Sequence, residues 1–431
     1  MAVVAIFALA CMAIGGGGGL SGVAPNEGGS QTSGNGTTNA GANTNAGANT
    51  NAGANTNAGG SASKSDTANQ VSSGGSSSTT LPARVCDEPT PWPLPTSSQV
   101  VGTGTSASCT ATALSTAIKT GGNIVFDCGT APVTIAVTNA IQVTKATVID
   151  GGGLVTLDGG GTAQILVVAS NNSLSVRRLS FINGKAPDDT EAAGIGGAVA
   201  GNWRSKVEVI GCTFEDNRAA RGGGAVYSLL SPLQVINSEF AENSTVLHAG
   251  FGDGGAIGTD GASESSSDSL GGTIQICGTI IRNNQGNGSG GGAYLWMYPP
   301  DLAIIDRTSI TANKVIKNAS NQGAIGGAMR ISNGSITIKN SSLISNASIG
   351  NGGGLYLDCA PSCTITNSTF YGNQTAGWGG GIFSGTSSGQ IDMNNVTFAA
   401  NSQQNTQGNA LSGRGLDQPW SCGARQRQHS C

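Results

Sequence analysis

Short runs of alternating apolar and polar residues recur down the second half of the chain, as in Leu233-Gln234-Val235-Ile236, Ser335-Ile336-Thr337-Ile338 and Cys363-Thr364-Ile365-Thr366. Period-two alternation predicts β-strands with one buried face. No run sustains a helical period. The punctuation between strands is regular. A Gly-Gly-Ala-Ile-like turn occurs at Gly196-Gly197-Ala198-Val199, Gly223-Gly224-Ala225-Val226, Gly254-Gly255-Ala256-Ile257, Gly291-Gly292-Ala293-Tyr294, Gly326-Gly327-Ala328-Met329, Gly353-Gly354-Leu355 and Gly380-Gly381-Ile382. It alternates with an apolar residue followed three positions later by Asn: Phe214/Asn217, Phe240/Asn243, Ile280/Asn283, Ile310/Asn313, Leu343/Asn346, Phe370/Asn373 and Phe398/Asn401. Units of roughly 27 to 37 residues in strict alternation mark a repeat architecture.

One unit holds about three short strands and their bends, too little to bury its own apolar face. Stacking units in parallel pairs each strand with its equivalent in the next coil, about 4.8 Å away. The predicted fold is therefore all-β, a right-handed parallel β-helix that forms a single-stranded solenoid. The glycines suit a corner where a side chain would strike the neighbouring coil. Phe, Ile or Leu then stack inside the core, and Asn217, Asn243, Asn283, Asn313, Asn346, Asn373 and Asn401 form a ladder that satisfies buried amides. Predicted boundaries are a signal segment with lipobox at 1–14, a disordered low-complexity tether at 15–80, the β-helix at 81–410 with an amino-terminal cap near 109–128, and an irregular tail at 411–431. Ala111 to Lys119 reads as a helix within that cap.

Composition narrows the function. With 70 Gly in 431 residues, 10% charged and 4% aromatic residues, the chain suits a solenoid with many tight bends. A net charge of -4 without a Lys/Arg cluster argues against nucleic acid or an anionic membrane surface as partner. Ala8-Leu9-Ala10-Cys11 resembles a bacterial lipobox, which would acylate Cys11; an ordinary signal peptide is the alternative. The Gly, Ser, Asn, Thr and Ala stretch that follows repeats Thr-Asn-Ala-Gly-Ala-Asn from Thr38 and is expected to span about 45 Å as a flexible tether. An exported chain with ten cysteines invites disulfides. Cys109 and Cys128 bracket the predicted helix and are expected to bridge, and Cys359 and Cys363 enclose a Pro-containing bend that a bridge would close. Cys212 and Cys277 read equally well as small core residues. With His248 and His429 the only histidines and no repeated Cys-x-x-Cys, no metal site and no cofactor are expected.

The alternating Gly-Gly-Ala-Ile and Phe-x-x-Asn units resemble the polymorphic outer membrane protein repeats of chlamydial autotransporters and of bacterial surface proteins that carry them. The stretch from Ser108-Cys109-Thr110 through Phe126-Asp127-Cys128 to Ile149-Asp150-Gly151-Gly152-Gly153 looks like the opening of pectin-lyase-like β-helices. Together these cover about residues 100 to 401. The resemblance implies a β-helical passenger displayed at the cell surface and often associated with adhesion. Two departures stand out: only some 30 residues follow Asn401, too few for the family's membrane barrel, and the first unit is irregular, with Phe181 followed by Asn183-Gly184. Strand alternation ends at Arg414, as a frameshift or a natural cap around Trp420 and Cys422 would produce.

Two function classes follow. An enzyme of the pectin-lyase-like superfamily, a polysaccharide lyase or glycoside hydrolase, would need clustered carboxylates with a base. The candidates are Asp188, Asp189 and Glu191 with Arg204 and Lys206, and Asp253 and Asp260 near His248; each also reads as a solvated loop charge. The Asp150-Gly-Gly-Gly turn lacks both a Walker lysine and a nonapeptide calcium pattern. A non-catalytic, adhesin-like binding module fits better, located at the bacterial outer membrane surface as a lipoprotein or secreted, with an unidentified glycan or protein ligand. The longest inserts are Gly258 to Gly272, with Glu264 and Asp268, and Gln285 to Pro300. The second carries Tyr294, Trp296, Met297 and Tyr298, of which Tyr294, Trp296 and Tyr298 form a candidate aromatic platform.

Overall fold

The strands whose sequences alternate also alternate in burial: Leu233 and Val235 are buried while Gln234 between them is not, and Ser335 to Lys339 repeats the pattern. The computed structural model describes residues 85–89, 97–188, 194–246, 252–263, 271–316, 324–385 and 389–404. They fall in the second of two units, Gly75–Cys431, and the first, Met1–Gly74, holds none of them. Cys11, the tether, Asp189, Glu191, His248, His429, Glu264, Asp268 and the tail beyond 404 lie outside the described residues.

The architecture is a right-handed parallel β-helix. Among the described residues 24 strands join by parallel pairing into one wrapped sheet, and seven two-residue strands form a second. In one coil, Ile257–Asp260 leads to Thr273–Cys277, Gly278 turns with φ +61°, and Ile280–Arg282 follows. Asn284 then closes the corner and Gln285–Gly286 returns the chain to the next glycines. The core is a set of columns. Phe181, Phe214, Phe240, Ile281, Ile310, Leu343, Phe370 and Phe398 are in register, and their rings stack at 4.8 Å between Phe181 and Phe214 and 4.6 Å between Phe214 and Phe240.

The Asn ladder runs along one corner. The Oδ1 of Asn346 accepts both the backbone N–H (2.9 Å) and the Nδ2 (3.0 Å) of Asn313, while its own Nδ2 donates to Asn373 Oδ1 and to the carbonyl of Ile310. Only an amide side chain both accepts and donates in this way. Gly254, at φ +69°, and Gly255, where a Cβ would lie 2.1 Å from the Gly291 carbonyl, show why the paired glycines recur.

The structure corrects several expectations. Phe240 pairs with Ile281, so Ile281 is buried, Ile280 is 37% exposed, and Asn284 is the rung in place of Asn283. Asn283 instead takes the left-handed turn at φ +56°. Gly290, at φ +70°, opens its turn one residue before the expected Gly291, and Ala293 pairs with Ile257 and Met329. The segment from Gln285 to Pro300 is thus a regular part of the coil carrying the strands Gln285–Gly286 and Ala293–Trp296, not an insert. In the irregular first unit Gly184 stands at the rung and donates its N–H to Asn217 Oδ1.

The cap helix Ala111–Thr120 is held at its start by Thr110, whose Oγ1 accepts the Ala113 N–H, and buries Leu114, Ala117 and Ile118 on the core. Cys109–Cys128 and Cys359–Cys363 are bridged. Cys277 is not a core filler: it bridges Cys86 across 191 residues, whereas Cys212 is free and buried, its thiol pushed up to about 12 by burial. Residues 85–89 form a strap across the outside of several coils. Asn237 Oδ1 accepts the N–H groups of Val85 and Cys86, Asn237 Nδ2 donates to the Cys86 carbonyl, Arg307 Nη1 donates to Val85 O and Arg177 Nη2 to Pro89 O. Closing so long a loop removes up to about 5 kcal/mol of unfolded-chain freedom.

Replacing Asn284 by Ala is expected to lower stability by about 1 to 3 kcal/mol, because it leaves the Asn243 amide without its acceptor. Asn283→Gly should be neutral or slightly stabilising, since glycine adopts the same φ without strain. Urea unfolding of both variants checks the register; equal effects would contradict it.

Candidate functional site

Because Ala293 and Leu295 face the core, Tyr294 and Trp296 face outward. Parallel register places Tyr227, Gly258, Tyr294, Arg330, Tyr356 and Phe383 on successive coils in one outer column, and Asp260, Trp296, Ser332 and Asp358 in the next. Gly258 leaves room for the ring of Tyr227, whose Cδ2 lies 2.7 Å from where a Cβ would stand.

Arg330 is the centre of this face. Its Cζ lies 5.4 Å from the ring centroids of Tyr294 and Trp296 and 5.5 Å from that of Tyr356, within cation–π range. Nε donates to Ser332 Oγ (3.3 Å) and Nη1 to Ser289 Oγ (3.2 Å), and the Ser332 hydroxyl donates to Asp358 Oδ2 (2.9 Å). Tyr294 and Trp296 stack at 6.3 Å, and Tyr356 and Phe383 at 5.2 Å. Tyr298, the third expected platform residue, points its hydroxyl at Asp260 Oδ1 (2.8 Å) and is half-buried. Met297 is wholly buried, in the core.

Burial shifts the titrating groups. It holds the Tyr294 phenol well above its ordinary value, with Asp253 adding to the effect. The Asp253 carboxyl is pushed up to about 6, chiefly by burial, with Arg330 pulling it partly back; its Oδ1 accepts the Ser289 N–H at 2.7 Å.

Among the described residues the enzyme candidates fall into separate places, Asp253 and Asp260 near Tyr294, on whose phenol both act, and the others away from it. Asp188 pairs with Lys185 at 2.7 Å, and Arg204 lies over the ring of Trp203 at 5.3 Å. Asp260 and Asp358 stand three coils apart, roughly 14 Å at the usual strand spacing. That exceeds the carboxyl separation of glycosidases, and both already accept a hydroxyl. No group of three metal-capable side chains occurs among the described residues. A shallow cavity of 220 Å³ lies elsewhere, beside Val125, Phe126 and Leu154, where Asp150 and Arg178 are closed on each other.

Three elements escaped the sequence reading. Arg330 carries no local signal and matters only through register. Asp301, fully buried, holds the N–H groups of Ala262, Gly272 and Tyr298 and the hydroxyl of Ser263, fixing both ends of a loop beside the face. A second ladder uses Ser341 and Ser368 Oγ, which accept the N–H groups of Thr308 and Ser341. Its signal was present: Ser or Thr stands two residues before most inward Phe, Ile or Leu residues, as in Ser341-Ser342-Leu343 and Ser368-Thr369-Phe370.

Coils cornered by glycine pairs and an Asn ladder place the chain among repeat-built parallel β-helices. Within that class it carries the Chlamydia polymorphic membrane protein (Chlamydia_PMP) repeat, whose family pattern matches residues 211–229 and 367–385. Each matched stretch contains one inward Phe, one rung Asn and one glycine turn. The repeat marks a bacterial surface protein. No curated protein and no solved structure matches the chain.

Asp253 generates a pH test. Its folded value lies above the ordinary 3.8, so the folded state binds the proton more tightly. The stability gained by protonation is fully present below about pH 4 and is lost as pH rises through about 6, by up to about 3 kcal/mol. Urea midpoints of the wild type should fall between pH 4.5 and 7.5 by more than those of Asp253→Asn; parallel profiles would refute the assignment.

Proposed function

We propose that this chain is a non-catalytic, adhesin-like surface module that binds carbohydrate on the face formed by Tyr294, Trp296, Arg330 and Tyr356. The observation that carries the reading is the arrangement of three aromatic rings around one guanidinium on an outer sheet face. Aromatic faces take the C–H side of a sugar ring, and guanidinium and carboxylate groups take its hydroxyls. The wide separation of Asp260 and Asp358 supports binding over hydrolysis.

The test is a glycan and protein array with the purified chain, run beside a uronate-release assay. Wild type should retain glycans, and Trp296→Ala should weaken retention at least roughly tenfold without moving the unfolding midpoint. Turnover of any polyuronide, or retention of proteins alone, would overturn the reading.

Attachment through an acylated Cys11 belongs to the same proposal. The wild type should then stay with membranes through high-salt washing, and Cys11→Ser should release it. An amino terminus other than Cys11 on secreted wild-type protein would leave secretion in its place.

A further inference from the structure

Arg330 is half-buried, and among the described residues it forms no ion pair. Two of its five N–H groups are committed to serine hydroxyls, which are neutral acceptors, and the carboxylate that acts on it, Asp253, does so without a hydrogen bond to the guanidinium. Nη2 makes no hydrogen bond among the described residues. The rings of Tyr294, Trp296 and Tyr356 lie around the guanidinium. What remains available is the in-plane edge of Nη1 and Nη2, the geometry that receives a planar carboxylate through two parallel bonds.

We infer that the sugar taken by this face is an acidic one, whose single carboxylate pairs with Arg330 while its ring lies against Trp296. The inference rests on the carbohydrate-binding role proposed above. Nearby acids limit the charge the face accepts. Asp260 and Asp358 flank Trp296 and Ser332 in the adjacent column, and Asp253, half-buried, interacts with Arg330. A densely sulfated polymer, anionic on every ring, would meet these carboxylates as well as the one guanidinium. A sugar with one carboxylate meets the guanidinium alone. Uronic acids and sialic acids share that chemistry.

Calorimetry with the full chain distinguishes the sources and tests the class. The probes are the methyl glycoside of galacturonic acid, sialyllactose, the carboxyl-reduced form of each, and a heparin oligosaccharide. At least one carboxylated probe should bind roughly 10- to 100-fold more tightly than its reduced counterpart, with affinity falling as salt rises. Arg330→Gln should abolish that difference, and Arg330→Lys, which keeps the charge and the ring contacts but not the fork, should retain part of it. Trp296→Ala should weaken acidic and reduced probes alike. Equal binding of acidic and reduced forms, or preference for heparin, would sink the acidic-sugar class while leaving carbohydrate binding intact. Failure of every glycan would sink both.

Discussion

A solenoid of parallel coils must satisfy, without water, every amide at the corners its core closes over. The Asn ladder meets that constraint in this protein, and the rest of the structure depends on it. Each rung ties a backbone N–H, a side-chain amide and a carbonyl of neighbouring coils to one residue, and each lies wholly or almost wholly buried. The rungs are 26 to 41 residues apart along the chain, yet they stay adjacent in space. Coil length can therefore vary as long as the corner is kept, and the extra residues go into loops such as the one whose ends Asp301 holds.

Fixing the corner also fixes register, and register makes the outer face. Tyr294, Arg330 and Tyr356 lie far apart in sequence and share a column only because Ala293, Met329 and Leu355 share one on the inside. A shift of one residue would turn Tyr294 and Trp296 into the core and Leu295 to solvent. The aromatic face is thus a by-product of inward packing.

The same dependence explains which features could be read from sequence. The strands, the glycine corners, the inward Phe column and six of the seven rungs follow from composition at fixed spacing, because each uses a residue type few others can replace. The seventh rung was misplaced because Ile280-Ile281 and Asn283-Asn284 are doubled, so two registers satisfy the pattern and only pairing with Phe240 separates them. The run Gly290-Gly291-Gly292 hid the turn register in the same way. Tyr294 and Trp296 were visible as an aromatic cluster, but Arg330, 34 residues beyond Trp296, was not, since contact across coils leaves no mark along the chain. The Cys86–Cys277 bridge was hidden for that reason too.

That bridge determines how the molecule carries force. Tension on the chain before Cys86 does not peel the first coils; it crosses the disulfide and enters the solenoid at Cys277. Everything between these two residues sits in a covalent loop that bears no load. A ligand seated on Trp296 would pull against that point through the 19 residues from Cys277, a path about one coil long, leaving the cap and the coils before Cys277 mechanically silent.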